Sequence, residues 1–433
     1  MRHVIICGIG TISRELIEYL SEQNYIITAV TRNPQAAIRE SRTKVTVISW
    51  EEIKENPQKY FEDCVAVINL ARPNIGTLAN PTIKMNDSQI SKMKEEFKVG
   101  GITTTQTMAT LCAQYGTPGK TVFLNASSYN HYNSDIIPQD KPYSDLTPLR
   151  EDDRPLDYLT EVSRAWEEAA IPASESGIRV VHLGFGMLID QNSTGFSTIH
   201  SLFLLGIGGR IGSGEQYIPM LTMRDTLSSI QHCIEHDEIT GYVNIAGFNV
   251  KQKELVEELA KQVDERPLLK QAWTYIILKG LLGWNNCLNN ITKPEILIKT
   301  GLGIFGEELL LKGLTIKADK LAASSFQFQD TSIAEAIRYA LEKPKGQLVS
   351  TKNIDISNYC QMDELEIALQ LQNKAEPSSS TLTKRKLYTG SSSREEALIK
   401  PKSHTSVTGH SMFSSKNKQK DIVVNQKPCC SLI

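Results

Sequence analysis

Short apolar runs alternate with stretches of helical spacing along the first two hundred residues. Runs near 3–7, 25–30, 45–48, 65–70, 121–126 and 178–184 predict buried strands. Between the first two runs, Leu16, Ile17 and Leu20 recur at the spacing of one helix face. Strands that alternate with helices are typical of an α/β fold, so the pattern predicts a doubly wound, Rossmann-type parallel sheet.

A glycine turn between the first strand and the first helix predicts a dinucleotide site. In Gly8-Ile9-Gly10-Thr11-Ile12-Ser13, Gly8 allows a tight turn and Gly10 lets the backbone approach a pyrophosphate at the helix N-terminus. Ser13 stands where the fingerprint has a third glycine. The candidate cofactor-binding residues here are Gly8, Gly10, Thr11 and Ile12. The alternative is an ordinary strand–helix turn without a ligand.

The end of the second strand indicates which cofactor the turn would hold. An NAD site places a carboxylate there for the ribose hydroxyls, but this chain has Thr31 and Arg32. A guanidinium pairs well with a 2′-phosphate, so the sequence favours NADP(H) over NAD(H). The alternative is that Arg32 is a solvated surface residue.

Several further stretches carry a resemblance to a known family. They are Val30–Pro34, Val67–Ala71, Val122–Ser127, Arg164–Glu167, Gly177–Val181, Leu205–Gly214 and Lys320–Ala323 with Phe326 and Phe328. In this order and spacing the chain resembles the extended short-chain dehydrogenase/reductase superfamily from residue 1 to about 343. Within it, the chain is most similar to the uncharacterised epimerase family branch, which is related to nucleotide-sugar epimerases.

The resemblance implies a cofactor loop after the fourth strand. It adds Asn69, Leu70 and Ala71 to the candidate cofactor-binding residues. Arg72 follows them where the family usually has glycine. A long cation at this position would contact a phosphate or block the loop, and the sequence leaves both open.

The resemblance also implies a set of catalytic groups, of which only part is present. Reductases of the superfamily use a Ser or Thr after the fifth strand, a Tyr as acid/base, and a Lys four residues later that lowers the Tyr pKa. Here Ser127 and Tyr158 fit, but Val162 replaces the lysine. A phenol with a pKa of about 10 is a poor base at neutral pH without a nearby cation. The epimerase-like branch lacks this Tyr/Lys pair as well.

Other side chains after the fifth strand are candidates for the acid/base. The family has Tyr-Tyr-Gly where this chain has His131-Tyr132-Asn133, and a histidine titrates near neutrality. The alternative is that His131 and Tyr132 only line the cleft or face water. The candidate catalytic residues are therefore Ser127, His131, Tyr132 and Tyr158.

A second glycine-rich segment, Gly206–Gly214, lacks the Lys-Ser/Thr ending of a P-loop. The resemblance implies a loop over the substrate pocket, with Gly208, Gly209, Gly212 and Gly214 as candidates; a flexible turn is the alternative. Asp225 matches a family His-x-Asp-Asp element in which Thr222 replaces the histidine. A helix cap is an equally good interpretation of Asp225.

Composition and length give the wider organisation. Of 433 residues, 40% are hydrophobic, and no apolar run reaches membrane-spanning length. We expect no signal peptide, no metal site, no nucleic-acid partner and reduced cysteines, typical of the cytosol. The predicted domains are 1–185 (cofactor binding), 186–343 (substrate covering, with completion of the sheet), 344–372 (connector) and 373–433 (tail). Within the connector, Met362–Leu371 is either a short docking helix or a transient solvated helix. The apolar segment Trp273–Gly303 predicts packed helices, with a membrane-dipping segment as the alternative.

The tail is basic and ends in a lipidation motif. From Asn373 onward there are eleven Lys and Arg against four Asp and Glu, with many Ser and Thr, which predicts disorder. Cys430-Ser431-Leu432-Ile433 fits a C-a-a-X box for a eukaryotic prenyltransferase, and Cys429 offers a second acylation site. Lipid plus basic residues would hold the protein at the cytoplasmic face of a membrane.

These features predict an NADP(H)-dependent epimerase, dehydratase or reductase acting on an unknown small molecule or nucleotide sugar. The alternative is a catalytically inactive, nucleotide-sensing or partner-binding module, including a bacterial effector that acts at host membranes.

Overall fold

The computed structural model describes residues 2–35, 45–73, 86–133, 141–149, 154–155, 157–204, 209–264 and 312–342. All of them lie in one compact unit, Met1–Ile354. Gly208, the segment 273–303, the connector helix near 362–371, and the tail with Cys429 and Cys430 fall outside the described residues. The domain boundaries given above stay predictions.

The first half of the chain alternates strands and helices. Its elements are β1 (His3–Cys7), α1 (Thr11–Glu22), β2 (Ile26–Thr31), β3 (Thr46–Ser49), α2 (Trp50–Glu55), α3 (Pro57–Phe61), β4 (Cys64–Asn69), α4 (Asp87–Tyr115), β5 (Val122–Ser128), a 3-10 turn (Tyr129–His131), β6 (Tyr143–Ser144), α5 (Tyr158–Glu168) and α6 (Ile171–Glu175). The strands and the first helix confirm the sequence pattern.

The second half continues with β7 (Arg179–Phe185), β8 (Met187–Ile189), α7 (Thr194–Leu204), β9 (Tyr217–Thr222), α8 (Met223–Glu235), β10 (Gly241–Ile245), β11 (Phe248–Lys251), α9 (Gln252–Asp264), β12 (Ile316–Lys317), α10 (Asp319–Ala323) and α11 (Ile333–Glu342). Among the described residues, no helix combines the length and the apolar character needed to cross a membrane.

Seven strands form the central sheet in the order β10-β7-β5-β4-β1-β2-β3, and every pairing in it is parallel. The predicted doubly wound α/β class is therefore confirmed. The strand order reverses between β1 and β4, and in such sheets ligands bind beyond the carboxyl ends at this point. The turn after β1 lies there. The remaining strands of the described part of the chain form two small sheets, β11-β9-β8 and β12-β6.

Side chains alternate between the two faces of the central sheet, and each face has its own helical layer. Val4 and Ile6 of β1 pack with the Leu16 face of α1 and with Ile230 of α8. Ile5 packs on the other side in the cluster that contains Met108 and Phe123. Both faces of the strands are buried, which explains their nearly continuous apolar runs.

The edge strand β10 is fixed by a polar clamp. The buried carboxylate of Asp145 accepts hydrogen bonds from the backbone N–H of Asn244 (2.8 Å) and of Lys320 (3.0 Å). The Lys320 ammonium group donates to the carbonyls of Thr240 and Tyr242 at 2.7 and 2.8 Å. The Lys320 segment of the family resemblance thus has a structural role at the edge of the sheet.

Candidate functional site

Gly8 makes a turn that only glycine accommodates well. Its φ is +85°, and a Cβ on it would lie 2.6 Å from the Cα of Ala71. The loop after β4 therefore presses directly on the turn after β1, with the Leu70 N–H donating to the carbonyl of Cys7 at 3.0 Å. The structure brings together the two predicted cofactor segments, Gly8–Ile12 and Asn69–Ala71.

The N-terminus of α1 is open at Gly10. No side chain caps this end, no acidic residue lies in its first turn, and a Cβ on Gly10 would meet no atom within 4 Å. Unpaired N–H groups and the positive end of the helix dipole favour an anion at this position. Ser13 is buried, at 1% exposure, so a small hydroxyl fits the helix–sheet contact where the fingerprint has glycine.

The segment after β8 closes one side of this turn. The Thr11 hydroxyl donates to the Asn192 carbonyl at 2.8 Å, so it is already in use within the protein. The side-chain oxygen of Asn192 is buried and has no hydrogen-bond partner among the described residues. Buried acceptors are normally paired, so a bound ligand with a donor fits beside Asn192. The open helix end and this oxygen both fit a dinucleotide.

Arg32 lies at the end of β2 with an exposed side chain and no ion pair within the described part of the chain. The Thr31 hydroxyl accepts from the N–H of Asn33 at 3.4 Å. Arg32 is thus available at the edge where the ribose of a dinucleotide would lie, and its selectivity role stays a prediction.

A buried polar network lies at the carboxyl ends of β4 and β5. The Asn69 amide donates to Thr105 and to the Asn125 side-chain oxygen, both at 3.1 Å. Arg72 donates to the same oxygen at 2.6 Å and to the carbonyls of Ala71 and Ala126. The Arg72 guanidinium also lies over the Trp166 ring, at 4.9 Å. Arg72 thus turns inward and ties the cofactor loop to β5, and its relation to a phosphate stays a prediction. Burial lowers its pKa to about 9, against the attraction of Glu167.

Glu167 joins two of the predicted catalytic residues. One of its carboxylate oxygens accepts a hydrogen bond from the Ser127 hydroxyl, and the other lies 2.7 Å from His131 Nδ1. Ser127 ends β5, His131 ends the following 3-10 turn, and Glu167 is on the last turn of α5. The His131 and Glu167 side chains are 12% and 11% exposed. We call Ser127, His131 and Glu167 the carboxylate cluster.

The charge state of Glu167 follows from its neighbours. Burial alone would raise its pKa, but the nearby His131 and His182 and the Ser127 hydrogen bond outweigh burial, so the pKa is lowered. An ionised carboxylate only accepts hydrogen bonds. His131 therefore donates from Nδ1, which leaves Nε2 as the basic nitrogen of the neutral ring. Nε2 has no hydrogen-bond partner among the described residues.

Aromatic rings hold His131 in place. Its ring stacks on Tyr242 at 3.9 Å and meets the edge of Tyr132 at 5.0 Å. The Tyr242 hydroxyl donates to the Ser128 carbonyl at 2.9 Å. A side chain on Gly184 would collide with this hydroxyl, so Gly184 makes room for the ring. Tyr132 itself is 3% exposed, and burial raises its pKa, so it lines the cluster as a neutral ring.

Tyr158 lies apart from the carboxylate cluster. Its hydroxyl donates to the Lys94 carbonyl on α4 at 2.7 Å, and the Lys94 ammonium group lies 4.8 Å from its ring. Val162, where reductases have lysine, is 1% exposed. The structure thus brings together Ser127, His131 and Tyr132 and leaves Tyr158 on a neighbouring helix contact.

The described part of the second glycine segment is anchored, and Asp225 is used within the protein. The Gln252 side chain accepts from Ile211 N–H and donates to the Gly209 carbonyl, while Gly212 and Gly214 have φ of +57° and +71°. The side chain that caps α8 is Thr222, which corrects the expectation for Asp225. The Asp225 carboxylate instead accepts from the N–H groups of Gln329 and Asp330 at 2.8 and 3.0 Å.

Two residues of this site, Glu167 and His182, were given no functional role by the sequence analysis. Glu167 lies in one of the stretches that carry the family resemblance, and His182 lies in a predicted strand. The sequence gives little signal for either, because 40 residues separate Ser127 from Glu167. Within the described residues, no group of three or more His, Cys, Asp or Glu side chains could hold a metal ion.

Comparison with known proteins shows similarity to epimerase family proteins. No protein-family model matches the chain. It is 25% identical to an epimerase family protein of Mycobacterium leprae over 336 residues, which cover 77% of this chain and 94% of that protein.

Solved structures show the same fold. A human epimerase family protein (isoform 2) with NADPH matches with a TM-score of 0.59 and 20% identity, covering 79% of this chain and 99% of that one. MoeE5 in complex with UDP-glucuronic acid and NAD matches with a TM-score of 0.52 and 17% identity, covering 78% and 96%. The chain is thus similar in sequence to epimerase family proteins and shares the fold of these solved structures.

Proposed function

We propose that this protein binds NADP(H) at the turn after β1 and catalyses hydride transfer on a small molecule or nucleotide sugar, as an epimerase, dehydratase or reductase. One observation carries the proposal: the open, glycine-lined N-terminus of α1 lies at the same sheet edge as the Ser127–Glu167–His131 cluster. The similar human protein was solved with NADPH, and MoeE5 was solved with a nucleotide sugar and NAD, which supports both ligand classes.

The preference for the phosphorylated cofactor rests on Arg32. The residue follows β2 at the ribose position, it is exposed, and no described carboxylate pairs with it. A guanidinium supplies several N–H donors to a phosphate, whereas an NAD site needs an acceptor there. MoeE5 contains NAD, so the comparisons favour a nicotinamide dinucleotide without choosing between the two.

The carboxylate cluster supplies acid–base chemistry without the Tyr/Lys pair. When bound, a nicotinamide cofactor donates or accepts the hydride. His131 presents Nε2 as a base, and Glu167 orients the ring and stabilises its cationic form. Since the Ser127 proton points at Glu167, the Ser127 oxygen presents lone pairs to its other neighbours. It therefore fits a substrate hydroxyl that donates a hydrogen bond.

A second candidate is a nucleotide-sensing or partner-binding module without turnover. The observation that favours it is Val162, which is buried where reductases carry lysine, together with the engagement of the Tyr158 hydroxyl by α4. Under this alternative the cofactor controls a binding partner, and the carboxylate cluster stabilises the fold.

Titration of the full-length protein with NADPH and NADH, followed by cofactor fluorescence, tests the proposal. Binding of NADPH supports it, and binding of neither cofactor overturns both candidates. A panel of nucleotide sugars and small alcohols then separates the two candidate functions, with turnover followed by nicotinamide absorbance. We expect turnover to be lost in His131→Gln while NADPH binding persists; binding without turnover on any panel member favours the module.

We further propose that prenylation of Cys430 places the protein at the cytoplasmic face of a membrane. Support comes from sequence alone: Cys430-Ser431-Leu432-Ile433, the adjacent Cys429, and basic residues including Lys416, Lys418, Lys420 and Lys427. These residues lie outside the described part of the chain.

A further inference from the structure

A cavity of about 700 Å³ opens on the opposite edge of the sheet from the cofactor turn. Its walls include Thr121 just before β5, Arg179 at the start of β7, and Thr240 and Gly241 at the start of β10. These strands run parallel to β1, so the cavity begins at their amino ends, whereas Gly8 and Ser127 lie at the carboxyl ends. Ser174 of α6 forms another part of the wall.

The cavity extends inward to the carboxylate cluster. Glu167 and His182 both line it, and Glu167 is the residue that receives Ser127 and His131 from the other side. His182 on β7 pairs in register with Asn125, two residues before Ser127 on β5. Glu167 therefore contacts the candidate active site and the cavity at once.

A cofactor and substrate on the carboxyl edge would cover the cluster from that side. Oxidation of an alcohol sends a hydride to the nicotinamide and leaves one proton behind, which must reach bulk water. The cavity has room for many waters, each of which occupies about 30 Å³, and its inner wall carries polar side chains.

We propose that this cavity is the proton exit of the active site and that Glu167 passes the proton into it. The inference rests on the proposed function. The substrate hydroxyl gives its proton to His131 Nε2, and the Nδ1 proton moves to the Glu167 carboxylate. Glu167 then releases that proton to water in the cavity, while the hydride leaves the substrate carbon for NADP⁺. After the product leaves, water takes the proton from Nε2 and returns one to Nδ1, which restores the starting form of His131. Reduction runs the same path inward.

The charged and titratable groups around Glu167 suit this role. His131 lies on the active-site side and His182 on the cavity side, while Arg72 and the neutral rings of Tyr132 and Tyr242 complete the surroundings. Burial disfavours a charged His182, so its pKa is lowered and it stays neutral. The Asn125 amide nitrogen lies 3.5 Å from His182 Nδ1, so His182 carries its proton on Nε2. The proton exit therefore runs through Glu167 itself.

The test measures how fast the His131 Nδ1 proton exchanges with water in the NADPH-saturated, full-length protein. Nitrogen-15 NMR detects this hydrogen-bonded proton, and its absence from His131→Gln assigns it. Ser174→Trp and Thr240→Trp narrow the cavity from two walls at exposed positions, and Glu175→Trp, on α6 but outside the cavity lining, is the matched control. We expect both cavity variants to slow exchange by roughly tenfold or more, because exchange then requires local opening, and the control to match wild type.

The outcomes separate this inference from the proposed function. Unchanged exchange in both folded cavity variants with NADPH bound would overturn the proton exit alone. So would wild-type exchange that stops when NADPH binds, because the proton would then leave by the carboxyl edge. Failure of NADPH to bind, read by fluorescence beforehand, would overturn the proposed function instead. Equal thermal midpoints among the three tryptophan variants confirm that the fold is intact.

Discussion

Glu167 connects the candidate catalytic groups to the rest of the fold. It accepts from Ser127 and His131, and its ionised form is stabilised by them. Its position could not be read from sequence. Ser127 and His131 follow a predicted strand directly, but Glu167 and His182 reach the same place only through the topology of α5 and β7.

The lowered pKa of Glu167 predicts a pH-dependent stability. An unfolded glutamate titrates at about 4.3, so below that pH the unfolded state binds more protons than the folded state. The stabilisation is thus fully present above about pH 4.3 and is lost as pH falls through the lower pKa of the folded protein. We expect the free energy of unfolding to fall less steeply on acidification in Glu167→Gln than in wild type. Urea denaturation from about pH 5 to about pH 3 measures both slopes; equal slopes would show that Glu167 carries no such stabilisation.

For the secondary structure, the sequence predicts where the strands lie far better than which strands pair. Six predicted strands match β1–β5 and β7 to within a few residues, because buried parallel strands read as apolar runs. Strand β10 was expected only as an unspecified completion of the sheet. Its polar Tyr242 and Asn244 interrupt the apolar pattern, and the Asp145–Lys320 clamp satisfies backbone groups that β10 does not use in pairing with β7.

The turn between β1 and α1 gives a matched pair of variants. Gly8→Ala places a side chain against Ala71 at φ +85°, so we expect a loss of about 1–3 kcal/mol in stability. Gly10→Ala meets open space with an extended backbone, so its stability should change by at most about 1 kcal/mol. NADPH affinity should nevertheless fall in Gly10→Ala, because the methyl group occupies the approach of the phosphate. Denaturation and NADPH titration separate the effects; unchanged NADPH affinity in Gly10→Ala would move the cofactor away from this turn.

The contact between α4 and α5 should also lose stability when a methyl group is added to one of its glycines. A side chain on Gly101 would collide with Trp166, whose indole N–H donates to the Lys98 carbonyl at 2.9 Å. We expect Gly101→Ala to cost about 1–3 kcal/mol through overpacking, whereas Thr103→Ala at an exposed position of α4 should change little. Thermal denaturation gives both values. A Gly101→Ala midpoint equal to that of Thr103→Ala would contradict the close approach of the two helices.

For the whole molecule, we expect membrane attachment through the basic tail to be independent of cofactor binding by the folded part. If Cys430 is prenylated, the full-length protein made in a eukaryotic cytosol should sediment with membranes, and Cys430→Ser should release it. One lipid chain binds reversibly, so replacing Cys429 should release it only in part. Cell fractionation and the mass of the C-terminal peptide measure this. An unmodified terminal mass would refute prenylation, and NADPH binding should be the same in all three proteins.

Under the proposed function, the turn after β1 holds NADP(H) and Arg32 selects its 2′-phosphate. The most direct measurement is the Kd of NADPH and of NADH for wild type and Arg32→Glu. Loss of a charge-assisted pair predicts about 1.5–3 kcal/mol weaker NADPH binding, roughly 10- to 150-fold in Kd, with NADH nearly unchanged. Equal loss of both cofactors would remove Arg32 from the 2′-phosphate, and no binding of either to wild type would contradict the whole account.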